Sequence, residues 1–220
     1  MDVRKLLPNG RIVDLTHKMV PGKELYMLDV SRRNERSGEE GDIMSCVYLW
    51  SHVGTHVEAP LHFLASGCDT AGLAIENLFG PAIVLDFREK AVNEPISLEE
   101  IKAAGDIDSG DRVMIMTGRH TQYRTAHSHD RPFVTEEAVR WLVDDRKLNC
   151  LGTDSSGFEV RGVTHYPNHR LLTGAGVPVL ECLTNLVELK KKRFFLIALP
   201  IPVQGLDAFP VRAIGIEPED

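Results

Sequence analysis

The sequence predicts a mixed α/β fold in a single domain, and three observations carry that prediction. The chain has 220 residues, 43% of them hydrophobic, which suits one full core and is short for two. Four short apolar runs, each bounded by Gly, Asp or Pro, read as buried strands. Helical segments with recognisable caps fall between them, and strands alternating with helices give a mixed α/β layer structure.

In chain order the first strand is Ala82–Phe87. Ser97-Leu-Glu-Glu100 then has capping-box spacing, and Gly105 is placed to end that helix in the left-handed conformation. Arg112–Met116 is the second strand. The stretch from His120 to Pro132 is polar and irregular, and a loop of that length in a compact domain often borders a functional site. Thr135 caps a second helix, whose apolar positions Ala138, Leu142 and Val143 have helical spacing. Leu148–Leu151 is the third strand, a shorter third helix is expected after Thr184, and Arg193–Leu199 is the fourth strand.

Composition excludes several classes. The formal charge of -7 argues against binding nucleic acid or an anionic membrane by bulk electrostatics. The basic run Lys190–Arg193 reads as a solvated turn before a strand. Cys46, Cys68, Cys150 and Cys182 are scattered, with no C-x-x-C pair, as expected of reduced, mostly buried thiols in a cytoplasmic protein. The first ten residues lack the apolar stretch of a signal peptide. The longest apolar run, Phe194–Val203, contains Pro200 and Pro202 and is too short to span a bilayer. No repeat or low-complexity segment interrupts the chain.

Chemistry concentrates in residues 47–63, Val-Tyr-Leu-Trp-Ser-His-Val-Gly-Thr-His-Val-Glu-Ala-Pro-Leu-His-Phe. On an extended chain His52, Gly54, His56, Glu58, Pro60 and His62 share one face. Residues four apart on a straight strand are about 13 Å apart, so two histidines can share an ion only if the backbone bends, and Gly54 is where a bend can fall. Imidazole and carboxylate together suit Zn²⁺ or Mn²⁺. The spacing leaves two readings open, a metal site and a set of ordinary hydrogen-bonded histidines. Elsewhere, Ser155-Ser156 lacks a nucleophile-elbow context and reads as a turn beside the pocket. His127-Ser-His129-Asp130 reads as a solvated loop in preference to a second metal cluster.

The segment resembles the H-x-G-T-H-x-D-x-P-x-H signature of the cyclase-like metal-dependent hydrolases, the family of bacterial kynurenine formamidase and isatin hydrolase. His52, Gly54, Thr55, His56, Pro60 and His62 match it, and Glu58 stands where the family usually has Asp. The resemblance continues through Gly80–Asp86, Gly110–Val113, Thr117-Gly118, Gly152–Ser155, His169–Gly176, Glu181 and Ala198–Pro200, nearly the whole chain. It implies a swivelling β/β/α domain, a homodimer or larger homo-oligomer, and one or two divalent ions, Zn²⁺ or Mn²⁺. By position it implies His52, His56 and Glu58 as ligands of a first ion. It also implies Glu58 bridging to a second ion held by His169 and Glu181, and His62 as acid/base. The expected reaction is hydrolysis of a small-molecule amide, an aryl formamide or cyclic amide, by metal-activated water. A metal-assisted lyase or dehydrating cyclase, and a non-catalytic binding protein, are the rival readings. Residues Pro21–Met27 match the stretch that closes the pocket in the family, with no mark of a particular substrate.

Overall fold

Alternation along the apolar runs builds the sheet. The computed structural model describes residues 10–34 and 43–218, so the expectation about a leader at the N-terminus lies almost wholly outside the described residues. The chain runs through β1 (Ile12–Asp14), β2 (Leu28–Asn34), β3 (Ile43–Leu49), β4 (His56–Glu58), α1 (Ile75–Leu78), β5 (Phe79–Asp86), β6 (Pro95–Ile96), α2 (Leu98–Ala104), β7 (Arg112–Met116), β8 (Phe133–Val134), α3 (Glu136–Asp144), β9 (Cys150–Thr153), α4 (Pro167–Gly174), β10 (Val179–Glu181), β11 (Arg193–Ile197), β12 (Ala208–Pro210) and β13 (Ile214–Ile216). Among the described residues nine strands form one sheet in the order β1-β13-β11-β5-β7-β9-β10-β4-β12, curled into a half-barrel. Its centre, β5-β7-β9-β10, is parallel, and β4 pairs antiparallel with both β10 and β12.

Successive residues on a strand point to opposite faces, and both faces of this sheet are covered. Ile83, Leu85, Val113, Ile115, Leu151 and Val179 face the helical layer, where Ile101 of α2, Leu142 of α3 and Leu172 of α4 meet them. Ala82, Val84, Met114, Met116, Cys150 and Leu180 face the other way, against Leu15, Phe194 and Leu196. This two-sided burial is why the central strands read as continuous apolar runs. No described helix is long and apolar enough to cross a membrane.

The four predicted strands are β5, β7, β9 and β11, with ends shifted by up to three residues. The capping box at α2 is present: the Glu100 N–H donates to Ser97 Oγ and the Ser97 N–H to Glu100 Oε2. Thr135 caps α3 through the Ala138 N–H. Two expectations need correction. Gly105 ends α2 in an extended conformation, φ 172°, and not a left-handed one. The segment after Thr184 makes a single 3₁₀ turn, Leu186–Glu188, while a helix went unpredicted at α4. Its N-cap, Tyr166, is left-handed at φ 47° and offers no side-chain cap. All four cysteines are free, but only Cys150 and Cys182 are buried, and Cys68 is exposed.

Candidate metal centre

The eleven-residue segment does not run as one straight strand. β3 ends at Leu49, and the chain turns through residues 50–55 before entering β4. Gly54 makes the turn at φ 75°, where a Cβ would also stand 2.8 Å from Met19 Sδ. The bend folds His52 back on the strand it precedes, and the His52 and His56 ring centroids lie 5.0 Å apart. His62 follows on the 3₁₀ turn Pro60–His62, its ring 4.3 Å from that of His52. Of the predicted common face, only His56 and Glu58 share a strand; bends deliver the other histidines.

The sheet brings in the distant partners. The antiparallel register of β4 on β10 sets His56 opposite Glu181. α4 presents His169, whose Nε2 is 3.1 Å from Glu181 Oε1. Glu58 lies between the two sets. Its Oε1 is 3.5 Å from His52 Nε2, 3.7 Å from His56 Nε2 and 3.9 Å from His62 Nε2, while its Oε2 is 3.7 Å from His169 Nε2. These separations are too long for hydrogen bonds. His52 Nε2, His56 Nε2 and Glu58 Oε2 are all buried without a hydrogen-bond partner. Buried polar atoms are almost always satisfied, and unsatisfied N and O donors that converge are what a borderline divalent cation takes.

Two groups have ligand atoms within 4.8 Å of one another and share Glu58: His52, His56 and Glu58, and Glu58, His169 and Glu181. A third group joins His52, His62 and Asp207. Neighbours fix the imidazoles. His56 Nδ1–H donates to the Gly54 carbonyl at 2.9 Å, which turns Nε2 inward. Glu159 Oε1 lies 3.0 Å from His169 Nδ1 and also accepts from the His169 backbone N–H. Such outer partners set tautomer and ring orientation at metal sites.

The electrostatics point the same way. Burial lowers the pKa of His169, but hydrogen bonds to Glu159 and Glu181 outweigh it and push the pKa up to about 10. His56 is likewise raised: burial opposes, and Glu58 and Glu181 prevail. Burial works to raise the pKa of Glu58, yet the His52 and His56 imidazoles hold it well below the usual carboxylate range. Three buried carboxylates, Glu58, Glu159 and Glu181, therefore impose a field that favours positive charge.

A family model described as a putative cyclase matches residues 13–160. The chain belongs to this cyclase family. It is 28% identical over 211 residues to a kynurenine formamidase of Salinibacter ruber, covering 92% of this chain and 96% of that one. It is 26% identical over 235 residues to Cyclase-like protein 1 of Arabidopsis thaliana, covering 97% of this chain and 88% of that one. Isatin hydrolase A from Ralstonia solanacearum superposes with a TM-score of 0.81 at 25% identity, covering 95% and 93% of the two chains. A structure described as a potential metal-dependent hydrolase with cyclase activity gives 0.78 at 29%, covering 96% and 99%. The matched family span holds His52, His56, Glu58 and His62; His169 and Glu181 lie beyond it.

In this cyclase-family chain the donors open on a cavity of about 710 Å³. Tyr26, Trp50, Phe63 and Tyr166 give it aromatic lining, and His129, Arg131 and Ser156 also reach it. Pro21–Met27 contributes Tyr26, and the irregular loop His120–Pro132 contributes His129 and Arg131. His127 instead pairs with Asp130 at the surface, 2.9 Å away, so the His127–Asp130 run gathers no ligand set among the described residues. Ser156 donates to the Ser128 carbonyl in a turn beside the cavity, as expected. Sequence reasoning missed Asp207, whose Oδ2 is 2.9 Å from His62 Nδ1 and whose Oδ1 accepts from Ser51 Oγ. It also missed Glu159. Asp207 lies 145 residues along the chain from His62, while Glu159 lies ten residues before His169 across an irregular segment, and no spacing rule links either pair.

Proposed function

We propose that this cyclase-family protein is a metal-dependent hydrolase of an amide-type C–N bond in a small molecule, an aryl formamide or a cyclic amide. The observation that carries the reading is Glu58: its two oxygens face two separate donor sets whose inward nitrogens include unsatisfied ones. The kynurenine formamidase and isatin hydrolase relatives support the reaction class. His52, His56 and Glu58 would hold a first ion, and Glu58, His169 and Glu181 a second. The all-N/O donor set favours Zn²⁺ or Mn²⁺ at one or two ions per chain.

A divalent ion in such a site supplies Lewis-acid polarisation of the substrate carbonyl and acidifies water. The chain supplies the rest. Asp207 accepts from His62 Nδ1–H, which leaves Nε2 as the basic nitrogen facing the centre. His62 Nε2 takes the proton of the attacking water and returns it to the leaving nitrogen. Tyr26, Trp50, Phe63 and Tyr166 offer aromatic faces to a substrate ring.

The protein acts as one unit over residues 1–220 and assembles as a homodimer or larger homo-oligomer. The β2–β3 ribbon supports assembly, since Val30, Ile43, Met44, Val47 and Tyr48 on it are exposed and apolar. The unpaired thiols fit a reducing compartment, the cytoplasm. The test is turnover of formanilides and isatin-type cyclic amides with Zn²⁺ and Mn²⁺ supplied separately, run in ¹⁸O-water. One labelled oxygen in the carboxylate product is expected. Loss of water from substrate, or no turnover with either ion, overturns the reading.

A further inference from the structure

Arg131 is a charged side chain in an unusual place. It lies in the loop before β8, only 7% exposed, and lines the cavity that holds the candidate metal centre. Its charge has no ion pair within 4.0 Å among the described residues. Among the described residues only its Nη1 is hydrogen-bonded, to the His129 carbonyl at 3.2 Å and weakly to Ser156 Oγ at 3.5 Å. Nε is buried with no partner. A guanidinium has five N–H donors in a fixed planar fork, and buried charges are normally paired. Two long contacts to neutral oxygens leave most of this fork unused.

Position says where its partner belongs. Arg131 and Glu181 flank Gly157: a Cβ there would stand 3.2 Å from Arg131 Nη2 and 3.2 Å from Glu181 Oε1. Gly157 has none, so the fork lies a short step from the donor set. Glu181 and Glu159 favour the charge through space, but neither pairs with the fork: Glu181 bonds His169 Nε2 and Glu159 bonds His169 Nδ1. A second cavity of about 340 Å³ shares His129, Arg131 and Tyr166 with the first, so the guanidinium stands where two open spaces meet.

We infer that Arg131 is a substrate-anion receptor: this site takes small amides bearing a carboxylate near the scissile bond, and Arg131 binds that carboxylate. The fork matches carboxylate geometry bidentately, and the burial of Arg131 strengthens the pair. The inference rests on the hydrolase reading for the word substrate; the anion site itself does not need turnover.

The experiment therefore has two arms. In the first, calorimetry measures binding of the aminobenzoate isomers, with aniline as the uncharged control, to unaltered protein and to Arg131→Gln. At least one aminobenzoate should bind, and Arg131→Gln should weaken it about 10- to 100-fold, the range for a hydrogen-bonded charge, while aniline binding stays within about threefold. Arg131→Lys keeps the charge without the fork and should recover part of the loss. It also serves if Arg131→Gln fails to fold, in which case an intermediate loss on Arg131→Lys is the supporting result. In the second arm, kcat/KM is compared for the formamidobenzoate isomers and formanilide. The carboxylated substrate should be preferred, and the preference should vanish in Arg131→Gln through KM. Equal carboxylate binding by all three proteins overturns the inference even if amides are hydrolysed. Absence of turnover with Arg131-dependent carboxylate binding overturns the hydrolase reading and leaves the anion site standing.

Discussion

At the scale of single residues, the decisive group is Glu58. Its Oε1 faces His52 and His56 and its Oε2 faces His169, so one side chain spans both donor sets. Glu58→Gln keeps the size and removes the charge, and an amide oxygen is a poor Zn²⁺ partner. On the metal reading proposed above, metal titration should show binding lost or far weaker. Glu58→Asp draws the oxygens back by one methylene, so on the proposed two-ion reading the ion assigned to His169 and Glu181 should weaken more than the one assigned to His52 and His56. Unchanged affinity in Glu58→Gln would exclude Glu58 as a ligand. His62 differs in kind, because its Nδ1 is committed to Asp207. His62→Ala should keep metal by elemental analysis and lose about 10²- to 10⁴-fold in rate. Asp207→Asn should retain metal and lose less. Equal loss of metal and rate in His62→Ala would make His62 a ligand. The sequence showed His52, His56, Glu58 and His62 because they crowd one segment. Asp207 was hidden because it orients His62 from 145 residues away, and Glu159 because the ten residues between it and His169 follow no helix or strand period.

At the scale of elements, legibility followed local chemistry. The capping box at Ser97 and the cap at Thr135 use neighbouring side chains, and both helices formed where those residues stand. α4 was missed because it starts from a left-handed Tyr166 with no capping side chain, although Pro167 stands in its first turn. The turn at Gly54 was legible as a requirement: two histidines four apart cannot converge on a straight strand. That requirement yields a prediction. Gly54→Ala adds a Cβ at φ 75° and drives it against Met19 Sδ. The left-handed conformation costs a non-glycine residue about 1–2 kcal/mol, so urea unfolding should show a stability loss of that order. Because the bend positions His52 against His56, metal affinity should fall as well. Full metal affinity together with unchanged stability would mean that the bend tolerates a side chain.

At the scale of the whole molecule, sheet order was not legible, since pairings such as β4 on β10 join segments more than a hundred residues apart. Yet that pairing sets Glu181 opposite His56. Whole-molecule titration draws on that site and on His17 outside it. Burial, aided by Arg124 and His120, pushes the pKa of His17 down to about 4. Its unfolded form takes a proton near pH 6.5, so between about pH 6.5 and 4 the unfolded state binds more protons and stability falls as pH falls. In metal-free protein His169 and His56 act oppositely. Their folded pKa values are raised, to about 10 for His169, because carboxylate partners overcome burial. Their contribution is fully present below about pH 6.5 and is lost as pH rises toward 10. The metal-free protein should therefore show a urea midpoint that peaks near pH 6.5 and declines on both sides. On the proposed metal reading a divalent ion takes the place of those protons, so loading with Zn²⁺ or Mn²⁺ should flatten the alkaline decline and release protons. His17→Gln should soften the acid decline without touching the alkaline one. Urea midpoints from pH 4 to 10, with and without ion, check each limb. An alkaline decline that persists unchanged after metal loading would show that the ion does not replace the protons on His56 and His169.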